Sequence, residues 1–269
     1  MANFYDTHAH LDYPDFQPDF DEVLARATRS GISKIICIGT DFESSERAIH
    51  LAGEHQQVFA VVGWHPSHAH EAPEDIRLKL RALAAHPKVV ALGETGLDYF
   101  RLPSASGGTD DDDRRHKENQ ARIFRQQLEV AAELRLNCVI HQRGETLDDT
   151  LAFMQPFAGK VRGVFHCFAG DVAALERIQA IGSLVSFTGI VTFKNAQNVR
   201  DAVAAAALGE FMLETDCPFL APVPYRGKRC EPAYVREIAG TVAQVKSCSL
   251  DELSRATCEA AHAFFRGLT

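Results

Sequence analysis

No apolar run in this sequence is long enough to cross a membrane, so a spanning helix is not expected to organise it. There is no excess of positive charge either, since 28 Lys and Arg against 36 Asp and Glu leave a formal charge of −8. A protein that coats long duplex DNA carries a basic surface. Any nucleic-acid contact is therefore expected at a local patch or a metal site. No CxxC pair occurs, and the seven cysteines are an odd number. Met1 leads straight into a polar-flanked strand with no secretory leader, which sets the expectation of a cytoplasmic protein with reduced thiols. Nothing in the pattern calls for an obligatory protein partner.

What is present is a repeating alternation. Short runs rich in Val and Ile recur at 4–8, 34–39, 58–65, 88–94, 136–141, 160–166, 183–189 and 210–216. They are apolar on both faces, as strands of a covered parallel sheet should be. Helical periodicity fills the gaps: Phe20, Val23, Leu24 and Ala27, for example, or Phe124, Leu128, Ala131 and Leu134. The alternation predicts an α/β fold, a single-domain TIM-like (β/α)8 barrel spanning 1–269, with 46% hydrophobic content supplying the core. Residues 101–117, RLPSASGGTDDDDRRHK, break the rhythm and read as a long exposed loop or lid.

Six candidate metal ligands end five of these runs: His8 and His10, Glu94, His141, His166 and Asp216. Barrel strand ends converge on one rim, where active sites lie. Imidazoles and carboxylates gathered there suit divalent ions, up to two per chain, with Mg2+, Mn2+ or Zn2+ all compatible. His8 and His10 stand two apart on a strand and so leave the same face. Asp6 and Asp12 are expected to orient their rings. Glu94 is the choice for a shared ligand, because a carboxylate can bridge two ions, and His141 and His166 complete the second. Asp216 can both touch a metal and take a proton from water. Glu94 and Asp216 are accordingly the candidate catalytic residues.

Around them lie candidate substrate contacts. His65, in GWHP, can donate a hydrogen bond, and Arg143 can clamp a phosphate oxygen. Lys194 follows strand seven, and Arg226, Lys228 and Arg229 follow strand eight, the loops where barrels commonly hold phosphate. Tyr225 and Phe193 are candidates for stacking on an unpaired base.

The segments DTHAHLD, GWHP, GETGLDY, HQR at 141–143, HCFAG, FTGIVTFKNA, ETDCPFLAP and YRGKRCEPAYV resemble the TatD family of metal-dependent hydrolases, in order from about residue 4 to residue 265. The resemblance implies a barrel of the amidohydrolase-like group and a metal-dependent deoxyribonuclease with 3'-5' exonuclease-like action on DNA ends or single strands. It also implies His8 and His10 on one ion, His141 and His166 on the other, Glu94 bridging, and Asp216 as ligand and base. Two departures stand out. The 101–117 stretch is longer than the family's usual connection, and Ala260, His262 and Ala263 replace the Asn and Arg positions of its C-terminal helix. Two other functions fit the residues: an esterase, lactonase or amidase acting on a small molecule, and a metal-binding interaction protein without turnover.

Overall fold

Strand β2 (Ile32–Ile38) illustrates why these runs are apolar throughout: Ile35 and Cys37 join a core shared with the surrounding helices, while Ile36 and Ile38 join a second core inside the sheet. Alternation with period two delivers successive side chains to the two. A computed structural model describes residues 2–268. With β1 (Phe4–Ala9), β3 (Val58–Val62), β4 (Val89–Asp98), β5 (Cys138–Arg143), β6 (Gly163–Phe165), β7 (Leu184–Phe187) and β8 (Phe211–Leu213), β2 forms one eight-stranded parallel sheet in chain order. The two ends meet. Ala9 bridges Cys217, the His10 amide donates to Cys217 O at 2.8 Å, and the Asp216 amide donates to His8 O at 2.9 Å. The seam that closes the barrel thus runs between residues expected at the site.

Helices follow the strands: α1 (Phe20–Arg29), α2 (Phe42–Glu54), α3 (Arg77–Ala84), α4 (Asp110–Leu134), α5 (Leu147–Met154), α6 (Val172–Ala180), α7 (Gln197–Ala205) and α8 (Val235–Lys246). A last helix, α9 (Leu250–Phe264), packs Ala260, Ala261 and Phe264 against the interior core formed by Phe59, Val61 and Met212. It plugs one end of the barrel, leaving the strand C-termini at the other. None of the described helices is long and apolar enough to cross a membrane.

The expected loop at 101–117 is only partly a loop, because α4 begins at Asp110. Thr109 caps it through a reciprocal capping box with Asp112, and Asp110–Asp113 occupy the first turn, where carboxylates favour the helix dipole. The apolar stripe of α4 is buried from Ile123 onward. Its earlier turns carry polar side chains, several of them half-buried, and so show no apolar period to read.

Candidate metal centre

Inward-facing side chains change character as each strand nears its C-terminal end. Val139 and Val164 lie in the interior core, and two residues on stand His141 and His166. Met212 is followed with the same parity by Glu214 and Asp216, and Phe59 and Val61 by Gly63 and His65. Glu94 and Asp98 alternate along β4 with Gly96 between them. One pleat therefore carries the core below and the polar cluster above.

Strand ends differ from the expected ones by a few residues. Glu94 lies within β4, β5 runs on to Arg143, and Asp216 and His65 each follow their strand by three residues. Asp216 (φ 57°) and Cys167 (φ 50°) adopt left-handed backbone, turning the chain sharply at or just after a cluster residue.

All six candidate ligands come together around the Glu94 carboxylate. Its Oε2 lies 3.4 Å from His8 Nε2 and 3.8 Å from His10 Nε2. Asp216 Oδ1 is 3.6 Å and 3.4 Å from the same two nitrogens, which are 3.3 Å apart. For a tetrahedral ion with bonds of about 2.1 Å, neighbouring ligand atoms stand about 3.4 Å apart. His8 Nε2, His10 Nε2 and Asp216 Oδ1 keep that spacing and could share one ion, with Glu94 Oε2 standing 3.4 and 3.8 Å from the two nitrogens. The donor set therefore fits a divalent cation.

The other oxygen, Oε1, faces a second group. His166 Nε2 lies at 2.6 Å, His141 Nδ1 at 2.7 Å and His65 Nε2 at 3.3 Å, with 3.3 Å between His141 Nδ1 and His166 Nε2. The first two distances are those of charge-assisted hydrogen bonds. Behind them stand two more carboxylates. Asp98 Oδ2 is 3.0 Å from His141 Nε2, and Glu214 Oε1 is 3.6 Å from His166 Nδ1. Glu214 is itself fixed by the Cys167 amide at 2.6 Å and the Ser186 hydroxyl at 2.5 Å.

Protonation follows from this arrangement. Burial opposes the charge on Glu94, but His166, His65 and His141 outweigh it and hold the carboxyl well below its usual value. Asp216 is likewise lowered, burial being overcome by His10 and His8. Burial also opposes a charge on His10, His141 and His166, yet neighbouring carboxylates raise all three, His166 the most. His8 is lowered by burial and by His166 beside it, whose ring stacks on its own with centroids 4.0 Å apart.

His65 was expected on the substrate side, and it reaches the cluster itself. Its Nδ1 accepts the Ser67 amide at 3.1 Å, so the neutral ring carries its proton on Nε2, the atom facing Glu94 and His141. Burial lowers its pKa to about 4, keeping the ring neutral. A buried amide from α4 sets the height of this strand end. Gln127 accepts from the Trp64 amide at 2.9 Å and donates to Trp64 O at 2.9 Å and Thr95 Oγ1 at 2.6 Å.

Asp6 and Asp12 do not orient the histidine rings. Asp6 accepts from the Thr215 amide and hydroxyl and from the His8 amide, tying β1 to the residues after β8. Asp12 accepts from Ser44 and Arg47. Among the expected phosphate contacts, Arg143 lies exposed over the Phe100 ring at 4.2 Å and Arg226 over Phe193 at 3.7 Å. Lys194 and Lys228 are exposed. Arg229 is differently placed. It grips Asp19 with two nitrogens at 2.7 and 2.8 Å, beside an Arg26 that pairs with Asp19 and Glu231.

Sequence reading missed Asp98 and Glu214. Both were findable, because each shares strand parity with a residue already singled out.

Comparison with known proteins gives a consistent picture. The family described as TatD related DNase matches residues 5–266. The uncharacterized metal-dependent hydrolase YabD of Bacillus subtilis (strain 168) is 36% identical over 262 residues, covering 97% of this chain and 98% of the relative. The 3'-5' ssDNA/RNA exonuclease TatD of Erwinia amylovora is 34% identical over 268 residues, covering 97% and 99%. Among solved structures, YjjV, a TatD homolog from Escherichia coli K12, superposes with a TM-score of 0.87 at 28% identity, covering 98% of each chain.

Proposed function

The chain belongs to the TatD related DNase family of metal-dependent hydrolases, and on that premise we propose that it cleaves phosphodiester bonds at unpaired DNA ends. The observation that carries this is the division of Glu94, one carboxylate oxygen turned to each of two donor groups. Such a pair of sites suits a phosphodiester, where charge must be offset at both the attacking and the leaving oxygen. End selection and 3'-5' polarity take their support from the activity named for the Erwinia relative.

In this proposal His8, His10 and Asp216 would hold one cation, His141 and His166 would hold the other, and Glu94 would serve both. When bound, the cations supply Lewis acidity, lowering the pKa of a water and countering phosphate charge. Mg2+, Mn2+ and Zn2+ all suit this mixture of imidazole and carboxylate. Asp216 is ionised and partly open to solvent, its side chain being 14% exposed. With Oδ1 turned to the two imidazoles, its other oxygen accepts the proton of the attacking water. His65 presents Nε2–H at the edge of the second group, where a substrate oxygen can accept it. Arg143 and Arg226 stand on the rim as phosphate contacts, flanked by Lys194 and Lys228.

The test is an assay of metal-reconstituted protein on end-labelled single-stranded, duplex and closed circular DNA, beside an ester and amide panel. Metal-dependent shortening from ends, fastest on single strands, is expected. Equal cleavage of circles would overturn end selection. Ester or amide turnover without phosphodiester cleavage would move the assignment to a small-molecule hydrolase.

A further inference from the structure

The two aromatic residues expected to stack on bases are already engaged. Tyr225 lies flat on Tyr234, with centroids 4.1 Å apart and planes 5° from parallel, and Arg226 covers Phe193. Phe219 is in a different situation. It follows Asp216 by three residues, remains 49% exposed, and packs against no hydrophobic core cluster among the described residues. Backbone contacts hold it instead. The Phe219 amide donates to Asp216 O at 3.0 Å, and the Cys230 amide anchors the preceding Pro218 O at 3.0 Å. Asp216 and Leu220 flank it, both with left-handed backbone at φ 57° and 55°. A bulky non-glycine residue such as Leu220 adopts that conformation only when the surroundings impose it.

The fixed ring completes a corner beside the metal centre. Tyr13 stacks on His10 with centroids 4.9 Å apart and planes at 28°. Phe219 stands edge-on to both, 6.0 Å from Tyr13 at 84° and 6.3 Å from His10 at 67°. The corner thus offers flat aromatic surface, unclaimed by the core, next to residues that face a phosphate in the function proposed above.

We propose that Tyr13 and Phe219 form a stacking corner for the nucleobase adjoining the scissile phosphate of an unpaired strand, an inference that rests on the phosphodiesterase function. Every base has a π-face, so the corner tolerates all of them. A base inside a duplex is already stacked on both sides and paired, and cannot enter. The preference for unpaired ends then arises at least in part from the corner.

The test uses metal-reconstituted protein and single-stranded oligonucleotides in which one terminal or penultimate base at a time is removed to leave an abasic residue. For wild type, removal of the stacked base should weaken binding by about 5–150-fold, the range for one base–aromatic stack. In Phe219→Ala the intact strand should bind more weakly, and the same abasic change should then make little further difference. Phe219→Trp should restore the intact-to-abasic ratio, which a general loosening of the loop would not. With phosphorothioate-blocked strands, 2-aminopurine at that position should be quenched by wild type and not by Phe219→Ala. A wild type that cleaves DNA but shows the same intact-to-abasic ratio as Phe219→Ala overturns the corner alone. A wild type that neither binds nor cleaves any strand overturns the phosphodiesterase function and the corner with it.

Discussion

Asp98 and Glu94 contact opposite nitrogens of one imidazole: Asp98 Oδ2 is 3.0 Å from His141 Nε2, and Glu94 Oε1 is 2.7 Å from His141 Nδ1. The ring is thereby held with Nδ1 turned to the cluster, and its basicity is raised from behind. Carboxylates placed this way typically contribute about 10–100-fold to metal affinity. Asp98→Asn should weaken cation uptake on the His141 side by that order, read by competition with a chromophoric chelator. Glu214→Gln should do the same through His166. Unchanged affinity in both variants would reject the orienting role.

Glu94 reaches both donor groups with different oxygens. Its replacement by Ala should lower occupancy on both sides, measured as metal per chain after dialysis, whereas His10→Ala should affect chiefly its own side. A Glu94→Ala protein that retained two tightly held ions would sink the bridging assignment.

Asp216→Asn separates proton transfer from ligation. The amide keeps the size and one acceptor oxygen but cannot take a proton. Turnover should fall by about 10²–10⁴-fold, the usual weight of a general base, with much of the metal retained. Near-normal rates in a fully metallated variant would remove Asp216 from the mechanism.

Proton uptake and cation uptake compete at the three raised histidines. A raised imidazole pKa stabilises the metal-free fold fully below the ordinary value of about 6.5, and that contribution is lost as pH rises through the folded value. His10, His141 and His166 are shifted in this direction. A cation must expel these protons, so its affinity should climb with pH through and beyond the normal histidine range. Calorimetry in buffers of different ionisation heat should register proton release near neutrality. Heats independent of buffer would contradict the shared occupancy.

Arg229 should part company with Arg226 and Lys228. Its double contact to Asp19 joins the loop after β8 to the entry of α1, with Arg26 and the buried Glu231 in the same network. Arg226→Ala and Lys228→Ala are expected to raise KM for DNA with little change in stability. Arg229→Ala should lower the urea midpoint of unfolding, because the tie between this loop and Asp19 is lost while Arg26 alone still pairs with Asp19. A stable Arg229→Ala variant with only a KM effect would return Arg229 to the rim contacts.

The barrel was legible because covered parallel strands leave an unmistakable trace of branched apolar residues, and because short strands and single helical stripes alternate along the chain. The cluster was legible wherever a polar residue interrupts such a run, as at Glu94 and His141. Glu214 was hidden by its neighbours: preceded by Met212 and Leu213, it reads as the frayed end of a strand until parity is counted from Met212. The start of α4 was hidden for a different reason. Its first turns pack through polar side chains, Asp113 on Ser104 and Lys117 over the Tyr99 ring, so their half-burial leaves no apolar period in the sequence. Arg229 could not be told from Arg226 in the sequence, since its partner Asp19 lies 210 positions away.

Between Glu94 and Asp98 stands Gly96, at φ 137°, where an added Cβ would come within 2.0 Å of the His141 carbonyl oxygen. Any other residue would push β4 and β5 apart and draw the two carboxylates away from the imidazole they flank. A transplanted copy of this centre with every ligand in place and alanine at this position would hold the right side chains on a barrel of the wrong girth. The bare backbone at Gly96 is therefore a heritable dimension of the centre, to be moved together with its carboxylates or not at all.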